Sequence, residues 1–389
     1  MNTTKFSISI EKVAQSRLEG IDFSKLSFGQ IFSDHMFICD YKDGKWQDPR
    51  IVPYGPFSVE PSLSVFHYGQ AVFEGMKAYK DDNGEVFLFR PTENYARINK
   101  SCKRMAMPEF PEDLFDEALK TLVDLDRGWV QPGFGNALYL RPFMIATSHG
   151  VQANPSSEYR FMIITSPVQS YYKGQEVKVK IADHYSRAAN GGVGFAKAAG
   201  NYAGQFYPTA LAKEEGFQQI IWTDDATHQK LEECGTMNVV IRIGDTLISP
   251  PPTERILDGI TRKSVITVAD KLGITFESRP ITVTELLQAV EKGTLKAIFA
   301  EFGIISFLET PLTCILFPVI SLSENDKTEK IIINNANILF ISKVLSLKLI
   351  SLFSKYIFIK LIYLNQIQFF YFISYITDIF CVNFNGFGV

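Results

Sequence analysis

The stretch GGVGFAKAAGNYAGQFY, Gly191 to Tyr207, decides how the chain is read. Glycine-rich loops commonly cradle phosphate, so the two familiar phosphate patterns are tested first. Neither fits. No glycine precedes Lys197, as a G-x-x-x-x-G-K-[ST] loop requires, and a G-x-G-x-x-G count begun at Gly192 puts Lys197 where the third glycine belongs. What is left is one lysine among small residues, ahead of a helical stretch opening at Asn201-Tyr202. Small neighbours let a bulky group approach the amine. Two readings stand at this point: a solvated loop lysine, as most lysines are, or a Schiff-base lysine whose amine is kept deprotonated by desolvation and a neighbouring cation.

Around this loop lie 389 residues, enough for two to three domains and a sizeable core. The net charge of −3 gives no reason to expect a nucleic-acid partner. The cysteines (Cys39, Cys102, Cys234, Cys314, Cys381) are scattered, with no Cys-x-x-Cys pair, which points to a reducing, cytoplasmic setting. Nor do the histidines (His35, His67, His149, His184, His228) have metal-ligand spacing, so no metal is expected. The opening MNTTKFSISIEKV has neither the apolar core of a secretory signal nor an Arg-rich amphipathic pattern, and the mature chain is expected to start there.

Residues 30 to 48 read as two strands joined at Asp43-Gly44, and Gly75 to Arg90 repeats the arrangement around Asn83-Gly84, a type I′ hairpin signal. Helices are expected over Thr92 to Met105 and Asp113 to Asp126, then strands over Asn136 to Ala146 and Tyr159 to Thr165. That gives a small α+β domain over 1–166, with Pro167 to Gln175 as linker. Over 176–300, strands at Glu176 to Ala182, Gln218 to Thr223 and Met237 to Ile243 alternate with helices near Tyr202 to Glu215, Thr261 to Leu272 and Thr284 to Glu291. This second, larger domain is expected to supply a phosphate-binding helix end.

Six stretches in order make the chain resemble a branched-chain amino acid aminotransferase of the fold-type IV pyridoxal-phosphate class. They are FHYGQAVFEGMKAY (Phe66 to Tyr79), FLFRP (Phe87 to Pro91), ALYLRP (Ala137 to Pro142), the lysine loop, EECGTMN (Glu232 to Asn238) and LDGITR (Leu257 to Arg262). The resemblance implies an α+β, two-domain enzyme like D-amino acid aminotransferase. Its expected reaction is reversible ping-pong amino transfer between Leu, Ile or Val and 2-oxoglutarate, with pyridoxal 5′-phosphate as cofactor and a homodimer as the assembly. Lys197 matches the lysine that binds the cofactor covalently and then carries the proton. Glu233 matches the carboxylate paired with the pyridine nitrogen, and Tyr202 the partner of the ring's phenolate oxygen. Arg90 matches the phosphate-binding arginine. Ile260 and Thr261 match the pair whose backbone N–H groups hold the same phosphate, with Thr261 opening the helix as an N-cap would. Thr236 is a further phosphate-side candidate. For substrate, Arg141 matches the cation at the edge of an apolar pocket, Tyr139 a contact to the α-carboxylate, and Tyr68 and Phe73 parts of the pocket wall. Near relatives on the same fold, a D-amino acid aminotransferase or an aminodeoxychorismate lyase, are the alternative; the Tyr139-Leu140-Arg141 motif and the FEGMKAY stretch favour the branched-chain reading.

The resemblance stops after Phe299. Relatives continue with a Gly-Thr-Ala or Gly-Thr-Gly turn, a Val-rich strand and a final helix; this chain continues AEFGIISFLETPLTCILF. From Glu301 to Val389, Ile, Leu and Phe number 40 and Arg and Trp are absent, a usage unlike that of the first 300 residues. The segment is read as an aberrant apolar tail resembling translated non-coding sequence, which leaves the large domain incomplete and raises a non-catalytic truncated product as a second class of function. A membrane anchor over Leu361 to Thr377 is a third, and a weak one, because the stretch carries Asn365, Gln366 and Gln368 and falls short of the ~20 residues a spanning helix uses.

Overall fold

In the computed structural model the described residues are 6–133, 135–169 and 177–300, with the backbone of three strands beyond them. The chain divides into two compact units, one of Met1–Gln169 with Ala196–Gly200 and Tyr375–Val389, the other of Ser170–Phe195 with Asn201–Ser374. Residues 170–176, within the expected linker, lie outside the described residues, as do Leu361 to Thr377 and most of the apolar tail.

The first unit is an antiparallel sheet backed by helices. Its strands are β1 (Ser9–Ile10), β2 (His35–Lys42), β3 (Lys45–Pro53), β4 (Ala71–Phe73), β5 (Met76–Lys80), β6 (Val86–Phe89), β7 (Ala137–Ala146) and β8 (Tyr159–Val168). Its helices are α1 (Ser64–Tyr68), α2 (Pro91–Arg104) and α3 (Glu112–Leu125). The sheet runs β1-β3-β2-β8-β7-β5-β6, with β4 on β7. Asp43 and Gly44 both take positive φ, 52° and 73°, so the β2–β3 turn is of the primed kind that matches strand twist. The β5–β6 turn differs from expectation. Only Gly84 has positive φ there, because the Asp81 carboxylate accepts from the amides of Asn83 (2.9 Å) and Glu85 (2.8 Å) and holds a wider loop. On α3, Leu114, Phe115, Ala118, Leu119, Leu122 and Val123 form one buried stripe against the sheet's core, as a 3.6-residue period dictates.

Strict alternation along β7 matters most for function. Leu138, Leu140, Met144 and Ala146 are buried, which turns Tyr139, Arg141 and Phe143 together onto the opposite face.

The second unit holds β9 (Val177–Ile181), α4 (Gly200–Glu214), β10 (Gln219–Thr223), β11 (Leu231–Cys234), β12 (Met237–Ile243), β13 (Thr246–Ser249), α5 (Ile260–Lys271), β14 (Phe276–Ser278), α6 (Val283–Glu291) and β15 (Leu295–Ala300). Two strands follow from the tail, β16 (Gly303–Phe307) and β17 (Thr313–Phe317), while β18 (Cys381–Asn383) pairs with β6 of the first unit. The sheet order β11-β10-β9-β17-β16-β15-β12-β13-β14, with β11 also paired to β12, closes seven strands into a ring. Strands β16 and β17 carry the hydrogen bonding from β15 across to β9. Helix α5 begins one residue earlier than expected. Gly259 is its N-cap, and Thr261 lies inside the first turn rather than capping it.

Candidate active site

Each unit carries a polar constellation. In the first, the Ala196–Gly200 segment is tied to β4: the Phe73 amide donates to the Lys197 carbonyl (3.0 Å) and the Ala199 amide to the Ala71 carbonyl (3.0 Å). The Lys197 amide donates to Ser101 Oγ (2.9 Å), on α2. Between buried Ala196 and Ala198, the Lys197 side chain is half-buried and its Nζ stands 4.9 Å from the centre of the Phe73 ring. The Arg141 guanidinium stacks on the same ring at 4.5 Å and donates through Nε (3.1 Å) and Nη2 (2.7 Å) to the Tyr139 hydroxyl. Lys197, Phe73, Tyr139 and Arg141 are therefore one cluster. A second cation nearby disfavours the ammonium form, one of the conditions under which a lysine becomes nucleophilic.

Gly75 belongs to the cluster by what it lacks. A Cβ there would fall 2.3 Å from the Tyr139 hydroxyl. Arg90 sits at the N-cap of α2 in the left-handed region (φ 50°, ψ 50°), ahead of Pro91, and its Nη2 donates to Glu93 (2.9 Å). A non-glycine residue held there is strained, a cost found where a side chain must be aimed. Tyr68 lies on α1, substantially exposed, and its hydroxyl donates to the Val151 carbonyl.

In the second unit Glu233 stands on β11 opposite Asn238 on β12. One carboxylate oxygen accepts from Asn238 Nδ2 (3.1 Å) and the Leu257 amide (3.2 Å), and the other meets Arg187 Nη2 at 2.5 Å. Both side chains of that ion pair are buried. Arg187 Nη2 also donates to the carbonyls of Gly194 (2.9 Å) and Arg255 (2.5 Å), so it links the acid to the loop leading toward Lys197. The neighbouring Glu232 points the other way, onto Arg255; burial pushes its carboxyl up, partly opposed by that guanidinium. Asn201 Nδ2 donates to the Val193 carbonyl (2.8 Å), and Tyr202 follows it, half-buried, in the first turn of α4. Ile260 and Thr261 form the first turn of α5, where no side chain caps the helix. Gly259 has ordinary φ, but a Cβ there would lie 1.8 Å from Asn238 Oδ1, so close approach and not dihedral freedom demands glycine. Thr236 is exposed in the β11–β12 turn.

Each constellation suits part of a phosphorylated aromatic aldehyde: the first unit offers a half-buried amine, and the second a buried carboxylate paired with a guanidinium and a helix end without a side-chain cap, whose N-terminal amides favour a dianion. Sequence reasoning missed Arg187, Asn238, Glu74, Arg97 and Ser101. Glu74 and Asn238 lie inside quoted motifs, whereas Arg187, Arg97 and Ser101 carry no local pattern. Among the described residues no three of His, Cys, Asp and Glu converge as a metal site, and no helix is long and apolar enough to cross a membrane.

Residues 71–292 match the family "Amino-transferase class IV". The chain is 46% identical over 282 residues to "Branched-chain-amino-acid transaminase 1" of Bacillus subtilis, covering 72% of this chain and 79% of that one. It is similar in fold to the branched-chain aminotransferase of Thermoproteus uzoniensis solved with norvaline (TM-score 0.57, 24% identity, 68% of this chain and 83% of that). The enzyme of Thermobaculum terrenum in its PLP form is similar too (TM-score 0.56, 22% identity, 68% and 81%).

Proposed function

The chain belongs to the class IV aminotransferases, and from that premise we propose that it transfers amino groups reversibly between Leu, Ile or Val and 2-oxoglutarate with pyridoxal 5′-phosphate. The observation that carries the reading is the Lys197 cluster: a half-buried amine and the Arg141 guanidinium over one phenyl ring, in a chain 46% identical to a branched-chain transaminase.

When bound, the cofactor supplies an electron sink that lets an α-amino acid lose its α-proton. The protein does the rest. Lys197 Nζ would hold the cofactor covalently and would serve as the base that takes and returns the proton. Glu233, paired with Arg187 and hydrogen-bonded by Asn238, would favour a proton on the ring nitrogen. Arg90 would hold the cofactor's phosphate, as would the Ile260 and Thr261 amides and the Thr236 hydroxyl, and Tyr202 would bond the phenolate oxygen. Phe73 and Tyr68 wall an apolar pocket, Tyr139 contacts the substrate's α-carboxylate, and Arg141 at the pocket's edge binds the second carboxylate of glutamate without excluding leucine. We assign the protein to the cytoplasm as a homodimer, which light scattering on the purified chain tests as a mass of twice 43.9 kDa.

Initial rates with L-Leu, D-Ala and aminodeoxychorismate test the reaction. L-Leu is expected to be the turned-over donor, and a cofactor-loaded protein inert to L-Leu would overturn the proposal.

A further inference from the structure

Glu74 lies between Phe73, whose ring underlies Lys197, and Gly75, which makes room for Tyr139. Its side chain has no solvent exposure. A buried carboxylate persists only where its charge is met and its lone pairs are filled. Arg97 meets it with two bonds, Nε to Oε1 at 2.7 Å and Nη2 to Oε2 at 2.8 Å. Asn94 Nδ2 (2.7 Å) and the Gly75 amide (3.1 Å) complete the set. Asn94 and Arg97 belong to α2, the helix that starts at Arg90 and whose Ser101 receives the Lys197 amide. One helix therefore fixes the strand segment under the lysine, the lysine backbone and the phosphate arginine.

Burial pushes the Glu74 carboxyl up, but the charge and hydrogen bonds of Arg97, the charge of Lys197 and the Asn94 bond outweigh it, so the group is held below the usual carboxylate range and stays ionised. The charged and titratable groups on the elements around Lys197 are Glu74 after β4, Tyr139 and Arg141 on β7, Arg90 at the N-cap of α2, and Glu93, Tyr95, Arg97, Lys100, Cys102, Lys103 and Arg104 on α2. Two are acidic, and Glu93 is engaged by Arg90.

We propose that Glu74 is a positioning residue of the transamination site, which locks Phe73 and Gly75 to α2 and supplies the fixed negative charge that favours a protonated nitrogen at Lys197. The inference rests on the proposed function and deepens it.

The test is a pH titration of the visible absorbance band of the cofactor-loaded full chain. Glu74→Gln keeps the shape and removes the charge. Losing a nearby negative charge disfavours the protonated nitrogen, so the midpoint is expected to fall by about one pH unit. Glu74→Asp keeps the charge on a shorter stem and is expected to titrate close to the parent. An unmoved midpoint in Glu74→Gln, or an equal shift in Glu74→Asp, would overturn the assignment in favour of plain packing. Because Glu74→Gln strands the buried Arg97, the double variant Glu74→Gln/Arg97→Met replaces it if it does not fold, with a smaller fall expected because a positive charge leaves with the negative one, and the same overturning result. If the parent shows no cofactor band, the proposed function fails first. The midpoint is then read from the pH dependence of Lys197 acetylation by peptide mass spectrometry, with identical criteria.

Discussion

Lys197→Met is expected to abolish the visible band and to lower L-Leu transamination at least ~10²-fold, since it removes both the covalent anchor and the general base; absorbance and initial rates on the purified variant check this. Gly75→Ala is a finer probe. The new methyl meets the Tyr139 hydroxyl that receives both Arg141 hydrogen bonds, and overpacking of this kind costs about 1–3 kcal/mol. The expected result is a lower Tm together with a larger rise in KM for glutamate than for leucine, because the displaced cation serves the second carboxylate. Lys197 and Glu233 were singled out in the sequence through the family motifs that hold them, the Gly191–Tyr207 loop and EECGTMN. Arg187 and Glu74 were not, because their roles depend on partners: Glu74 acquires its meaning from Asn94 and Arg97, some twenty residues away on α2.

The elements with strong periodicity were readable at nearly their observed bounds: β7 from its alternation, α3 from its apolar stripe, the β2–β3 hairpin from Asp-Gly. Short strands such as β11 and β14 were not, since three or four residues carry no period, and pairing to distant neighbours makes them strands. What fixes the β10–β11 connection is Asp224, whose carboxylate accepts from the amides of Thr227 (2.9 Å), Gln229 (2.9 Å) and Lys230 (2.7 Å) and the Thr227 hydroxyl (2.8 Å). Burial pushes this carboxyl up, but those bonds win and hold it at about 2. A folded-state value below the unfolded one stabilises above the unfolded value, and the gain is lost as pH falls through the folded one. Asp224→Asn is therefore expected to have a lower Tm than the parent at pH 6 and above, with the gap closing between about pH 4 and 2. Thermal melts across that range decide it; a pH-independent gap would contradict the ionic explanation.

For the molecule as a whole, ring closure in the second unit depends on residues past the point where family motifs end. A chain ending after Ala300 leaves β9 and β15 without the partners that β17 and β16 provide, and unpaired edges recruit other chains. That truncation is expected to sediment as large aggregates, while a chain ending after Phe317 keeps both pairings and sediments as a discrete species. Equal behaviour of the two would show that closure is dispensable. Residue usage separates everything past residue 300 from the rest of the chain but reports nothing about backbone pairing, which any side chain can accompany.

The short run Ala196–Gly200 clusters with the first unit although the residues on either side of it cluster with the second. Interleaving of that kind defeats dissection: a fragment comprising 1–169 carries Phe73, Tyr139 and Arg141 but no reactive amine, and its complement carries the amine without the ring beneath it. Split-gene complementation with a single break is thus forced to rebuild a hydrogen-bonded seam in trans, and grafting either half onto a related scaffold transplants an orphaned half of the cluster.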